Sequence, residues 1–132
     1  MYLIDTNVFL ELMLEQQKAK SAREFFQRVD STETCVSDFS LHSMGVILFR
    51  LKKREVFSQF LDDMVLNGGV QILRLELEDA SRLVQAAELY DLDFDDAYQY
   101  VAADKFGLQI VSFDSDFDRT DKGRKTPEVI GA

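Results

Sequence analysis

The strongest constraint in this sequence is an alternation. Short runs of strand character recur at residues 2–5 (YLID), 33–37 (ETCVS), 70–75 (VQILRL), 108–113 (LQIVSF) and 127–131 (PEVIG), and longer helical stretches separate them. The first of these, TNVFLELMLEQ, carries apolar residues at 8, 9, 12 and 13, which fall on one face at 3.6 residues per turn. SAREFFQRV continues in helical spacing, and FSLHSMGVILFRLKK and EVFSQFLDDMVL read as two helices joined near Lys53. Asn67, Gly68 and Gly69 close that pair as a glycine C-cap does. LEDASRLVQAAELYD and DFDDAYQYVAADKFG are two further helices, the second ending at Gly107. Strands separated by helices imply parallel pairing with right-handed crossovers. The expected fold is therefore α/β: a three-layer sandwich with a mostly parallel sheet of about five strands flanked by helices. With 132 residues and no repeat, linker or low-complexity segment, one domain over residues 1–132 is expected.

The alternation also gathers charge. LQIVSFDSDFDR runs apolar from Leu108 to Val111 and then places Asp114, Asp116 and Asp118 within five positions. Acids stand likewise at Asp5, directly after the first strand, and at Asp93, Asp95 and Asp96, where a helix begins. In an open parallel sheet, sites form beyond the carboxyl ends of strands at the point where strand order reverses. Asp5 and Asp114 both follow strands at that end, so distant parts of the chain are expected to bring carboxylates together.

Each acid also has a purely local reading. Asp5, Thr6 and Asn7 suit the N-terminus of a helix, Asp93 with Asp96 resembles a capping box, and Asp114 with Asp116 suits a turn. A calcium loop is excluded, because Arg119 stands where that loop needs glycine and Lys125 where it needs the closing Glu. Zinc is disfavoured by a single histidine, His42, and a single cysteine, Cys35, the latter read as a core thiol of a short strand. Oxygen-only ligands suit a hard cation, Mg²⁺ or Mn²⁺, which shares a few carboxylates with a substrate phosphate. The chemistry expected of such a cluster is phosphodiester hydrolysis.

Composition narrows the classes further. A hydrophobic fraction of 46% with a charged fraction of 30% excludes a disordered chain. Apolar runs far below the roughly 18 residues that span a bilayer, with no leader pattern, lead to the expectation of a cytoplasmic protein without membrane contact. Fifteen Lys and Arg against twenty-four Asp and Glu give 15 − 24 = −9, which argues against a surface coated for phosphate binding. It does not exclude a nucleic-acid enzyme whose acids are masked by cations. The basic stretches LKKR at 51–54 and KGRK at 122–125 read as solvated charge or as phosphate contacts.

Together these elements resemble the PIN-domain family, and within it the small VapC-type toxins of toxin–antitoxin pairs. LIDTNVFLE resembles the family's opening strand and turn, with Asp5 at its first acidic position and Thr6 and Asn7 as companions; DDAYQYVAA matches at Asp96; LQIVSFDSDF resembles the closing element, with Ser112 in the Thr/Ser place and acids at Asp114 and Asp116. The resemblance runs through nearly the whole chain in order. It implies a metal-dependent endoribonuclease acting on RNA, often a homodimer, restrained by a small antitoxin protein. It further implies that Asp5, Asp96 and Asp114 hold one or two cations, Mg²⁺ or Mn²⁺, that Asp116 coordinates directly or through water, and that Thr6, Asn7 and Ser112 orient these ligands. One position departs from the pattern: the family's Glu early in the third helix falls on Ser43, which offers a neutral oxygen, and Asp38 lies about one and a half turns earlier. The alternative reading is thus a catalytically weakened PIN-like binding module. A receiver-type phosphoacceptor is disfavoured, since VQILRLE supplies no acceptor Asp after a central strand.

Overall fold

The structure, a computed structural model, describes residues 1–130. Four short strands form one parallel sheet: β1 (Tyr2–Ile4), β2 (Thr34–Ser37), β3 (Gln71–Leu73) and β4 (Gln109–Val111), in the order β3-β2-β1-β4. The central strand β1 pairs Leu3 with Cys35 on one side and with Ile110 on the other. Strand alternation divides the core between two faces. Ile4, Val36 and Val111 face one layer of helices, and Leu3, Cys35 and Ile110 face the other.

The first layer holds α1 (Thr6–Met13), α2 (Ala19–Arg28), α3 (Asp38–Arg50) and α4 (Arg54–Phe60), around a cluster that includes Val8, Phe9, Phe25, Met44 and Phe60. The second holds α5 (Ala80–Tyr90) and α6 (Phe94–Phe106), the latter laying Ala102 and Ala103 on the sheet. A sheet between two helical layers is the three-layer α/β sandwich expected, with Cys35 buried in its middle.

Two expectations need correction. Among the described residues the sheet has four strands rather than about five. Residues 127–131 are expected to extend as PEVIG, but Pro127–Val129 form a short 3₁₀ turn, Gly131 lies outside the described residues, and Lys125 bridges to Val111 at the β4 edge. Proline has no N–H to give a ladder, which favours the turn. The helix of residues 55–66 is also not uniform: α4 widens into a π-helical turn over Leu61–Leu66. Its end is closed tightly at Gly68, where a Cβ would meet the Asp63 carbonyl oxygen at 2.3 Å, so this position requires glycine.

Among the described residues no helix is long and apolar enough to cross a membrane.

Candidate functional site

Strand order reverses between β1 and β4, and the carboxyl ends of these strands deliver Asp5 and Ser112–Asp114 to one place. The Asp5 N–H holds the Val111 carbonyl at 2.9 Å, which locks the two strand ends together. A cavity of about 640 Å³ opens there, lined by residues including Asp5, Asn7, Ser43, Asp96, Gln99 and Asp114. The helix α6 supplies Asp96 and Gln99 one turn apart, and α3 supplies Ser43.

Asp5 is only 8% exposed and accepts four hydrogen bonds. Its Oδ1 takes the Thr6 N–H at 2.8 Å and Gln99 Nε2 at 3.1 Å; its Oδ2 takes the Ser112 hydroxyl at 2.7 Å and Asn7 Nδ2 at 3.3 Å. Burial pushes the Asp5 carboxyl above the usual range, against the lowering by Ser112, Gln99 and Thr6, and nearby Asp114 adds to the rise. Asn7 extends the network by donating to Ser112 Oγ at 3.2 Å and accepting the Phe113 N–H at 3.2 Å. The Thr6 hydroxyl donates to Ser40 Oγ at 2.8 Å rather than to a carboxylate.

Asp96, Asp114 and Asp116 offer carboxylate oxygens that all lie within 4.8 Å of one another. Asp96 is buried, and no donor among the described residues reaches its carboxylate. Burial, then Asp114, Asp93, Asp5 and Asp116, push its pKa up to about 8. Asp116 is turned partly to solvent and takes Arg119 Nη1 at 3.1 Å. Three carboxylates this close repel unless protons or a cation intervene, and an oxygen-only set of this kind fits a hard divalent ion. The four acids singled out in the sequence therefore share one neighbourhood, but Asp5 stands outside the close trio, with its oxygens already engaged.

The local readings hold alongside this convergence. Asp5 caps α1, Asp93 Oδ1 accepts the Asp96 N–H at 3.3 Å to cap α6, and Asp114 Oδ1 accepts the Asp116 N–H at 2.8 Å. The same side chains thus fix the turns and the site geometry.

Ser43 lines the cavity and Asp38 does not. Asp38 Oδ1 is engaged by the Tyr98 hydroxyl at 2.6 Å and the Phe39 N–H at 2.8 Å. The basic stretch at 122–125 serves the scaffold: Arg124 donates to the Ser112 carbonyl at 3.1 Å and pairs with Asp118.

The sequence reading missed Gln99, which is 2% exposed. Its Nε2 bridges Asp5 and Ser40, and its Oε1 accepts the Ser37 hydroxyl, the last two contacts at 2.8 Å. The one signal available was a polar residue amid Ala97, Tyr100 and Val101, three positions after Asp96 and so on the same face of the helix.

A PIN domain family model matches residues 2–123. No curated protein matches by sequence. Among solved structures, the chain is similar to one from a toxin–antitoxin complex of Klebsiella pneumoniae, with 21% identity, 96% of this chain and 98% of that chain covered, and a TM-score of 0.74. It is also similar to a chain of FitAcB from Neisseria gonorrhoeae, at 20% identity, 96% and 98% coverage and TM-score 0.80. A third similar structure is VapC20 of Mycobacterium tuberculosis, a toxin that cleaves the sarcin–ricin loop, at 17% identity, 89% and 93% coverage and TM-score 0.76.

Proposed function

Because the chain belongs to the PIN-domain family, we propose that it is a metal-dependent endoribonuclease, the toxin of a type II toxin–antitoxin pair. The observation that carries this reading is the trio of Asp96, Asp114 and Asp116, whose oxygens lie within 4.8 Å of one another beside the buried Asp5. Asp96 and Asp114 would hold Mg²⁺ or Mn²⁺, with Asp116 reaching it directly or through water. Asp5 would join as a fixed negative charge or a ligand on the cavity wall. When bound, the divalent cation supplies Lewis acidity toward water and the phosphoryl oxygens.

The chain's own groups hold this geometry. Asn7 and Ser112 grip Oδ2 of Asp5, Gln99 grips Oδ1, and Ser112 Oγ accepts the Asp114 N–H at 2.9 Å, so the ends of β1, β4 and α6 are fixed relative to one another. The Asp96 carboxylate lacks such anchors and is free to accept a proton or an ion. RNA is the substrate, and a small antitoxin and a second copy of the chain are the expected partners, in the cytoplasm. The family-model match and the structural likeness to toxin–antitoxin and FitAcB chains support this reading.

The test is cleavage of mixed RNAs with Mg²⁺ or Mn²⁺ by the parent, Asp5→Asn and Asp114→Asn. The parent should cut, chelation should stop it, and both variants should lose activity by at least about a hundredfold. Cleavage that survives both substitutions would remove these acids from the mechanism.

A second reading, a PIN-like binding module with weakened catalysis, is favoured by Ser43, which brings no carboxylate to the cavity while Asp38 is committed to Tyr98. Ser43→Glu separates the two. An added carboxylate should tighten Mn²⁺ binding by calorimetry and raise RNase activity. A variant that binds metal no better than the parent would show that residue 43 does not face the ion.

A further inference from the structure

An aromatic shelf borders the acidic cavity. Phe39, in the first turn of α3, lines the cavity, and its ring stacks on Tyr98 with centroids 5.4 Å apart and planes at 30°. Phe94 completes a triangle of rings, meeting Phe39 at 5.4 Å and 57° and Tyr98 at 6.2 Å and 42°. The shelf is rigid at its base, because the Tyr98 hydroxyl donates to Asp38 at 2.6 Å and accepts the Leu75 N–H at 3.1 Å. At its outer edge Phe94 remains 57% exposed, although it lies between Asp93 and Asp95 and two residues from Asp96. Phe94 also lines a separate shallow hollow with Leu83, Val84 and Ala87 of α5, yet more than half of it stays open to solvent, and an exposed aromatic costs solubility. Its presence calls for an occupant.

We infer that Phe94, backed by Phe39 and Tyr98, is a stacking platform for an unpaired nucleobase of the RNA beside the scissile phosphate. The inference rests on the nuclease reading. Charge makes the choice of occupant. No Lys or Arg lines the cavity, whereas Asp5, Asp95, Asp96 and Asp114 do. Nearby Arg119 is committed to Asp116 and to the carbonyls of Tyr90 and Asp91. With no cationic side chain on that wall and a net charge of −9, phosphate contacts to lysine or arginine are not what holds a polyanion in the cavity. Affinity must then come from the metal and from uncharged contacts, and base–aromatic stacking is the uncharged contact that every unpaired base can make. The platform accordingly selects single-stranded or looped RNA, whose bases can be splayed, over continuous duplex.

The test uses the full chain in saturating Mn²⁺ and a fluorescein-labelled single-stranded RNA, with Phe94→Ala, Phe94→Leu and Phe94→Trp beside the parent. Phe94→Ala should raise KM about tenfold, with most of the loss in KM rather than kcat. Phe94→Leu keeps apolar bulk but no π face and should resemble Ala, while Phe94→Trp should restore the parent value. Replacing the bases flanking the cleaved bond with abasic residues, one at a time, should raise the parent's KM at one position and add nothing further in Phe94→Ala. A parent that cleaves while both Ala and Leu variants keep its KM would overturn the platform alone. Variants that keep the parent's KM for RNA but lose binding to the antitoxin would assign the shelf to a protein instead, and also overturn it. A parent that cleaves no RNA under these conditions would overturn the nuclease reading and the platform with it.

Discussion

Asp96 shows how much one residue's environment decides. Its carboxyl, pushed to about 8 from an ordinary 3.8, binds a proton in the folded protein over a pH range where the unfolded chain has lost it. The folded form therefore binds more protons, and stability from this group falls as pH rises from about 4 through about 8, then levels off. Asparagine does not titrate. In chelator, the melting temperature of Asp96→Asn minus that of the parent should widen with pH across that window and be flat above it, as thermal melts at a series of pH values will read. Saturating Mn²⁺ should narrow the gap at high pH, because the ion binds the ionised parent. A gap independent of pH would mean that Asp96 is already ionised in the folded chain. At this scale the sequence was enough to pick out Asp5, Asp96, Asp114 and Asp116 as candidates, because acids at two strand ends and one helix start meet only if the fold gathers them, whatever local caps they also form. It concealed Gln99, Ser37 and Ser40, because a buried amide or hydroxyl has meaning only once the fold sets Gln99 against the Ser37 hydroxyl, 62 residues away, and the Asp5 carboxylate, 94 residues away.

Among elements, α3 carries exposed apolar side chains next to the cavity. Its Ser40, Met44 and Leu48 turn inward, while Val46 and Phe49 are 49% and 50% exposed. Gly45 lets the Phe57 ring of α4 approach, since a Cβ there would meet it at 3.2 Å, and the resulting surface is a shallow apolar hollow bounded by His42, Val46, Phe49 and Phe57. The other apolar stretch, residues 8–14, buries Val8 and Phe9 and leaves Leu10, Leu12 and Met13 packed against the core. If the chain dimerises, the α3–α4 face is the place, and Val46→Glu with Phe49→Glu should convert a dimer to a monomer by light scattering at micromolar concentration with little change in melting temperature. A parent that is monomeric there would remove the dimer from the proposal. The helices and the first four strands were legible because their apolar periods are strong. The fifth strand was misread because Pro127 and a single bridge at Lys125 end the sheet, and the π-turn at Leu61–Leu66 leaves no distinct mark in a helical pattern.

For the whole molecule the decisive quantity is charge. A parallel sheet collects its site at one edge regardless of surface composition, so the fold allows an acidic chain to be a nuclease only if something other than cationic side chains holds the substrate. This has a measurable consequence in salt. For single-stranded RNA, log affinity falls with log salt at about 0.7 per phosphate neutralised, so an enzyme using three or four such contacts loses roughly twenty- to fiftyfold between 50 and 200 mM salt. In a chain of net charge −9, screening instead relieves repulsion over distances beyond about 8–10 Å. At fixed, saturating Mn²⁺, KM for single-stranded RNA should therefore stay level or fall as KCl rises across that range. A steep rise in KM would show that lysines and arginines dominate after all, with the exposed stretch at 51–54, at the far end of α3 from Phe39, as the first place to look. Alanine at Lys52, Lys53 and Arg54 would then flatten the salt dependence, whereas in a chain held by metal and stacking it leaves the slope unchanged.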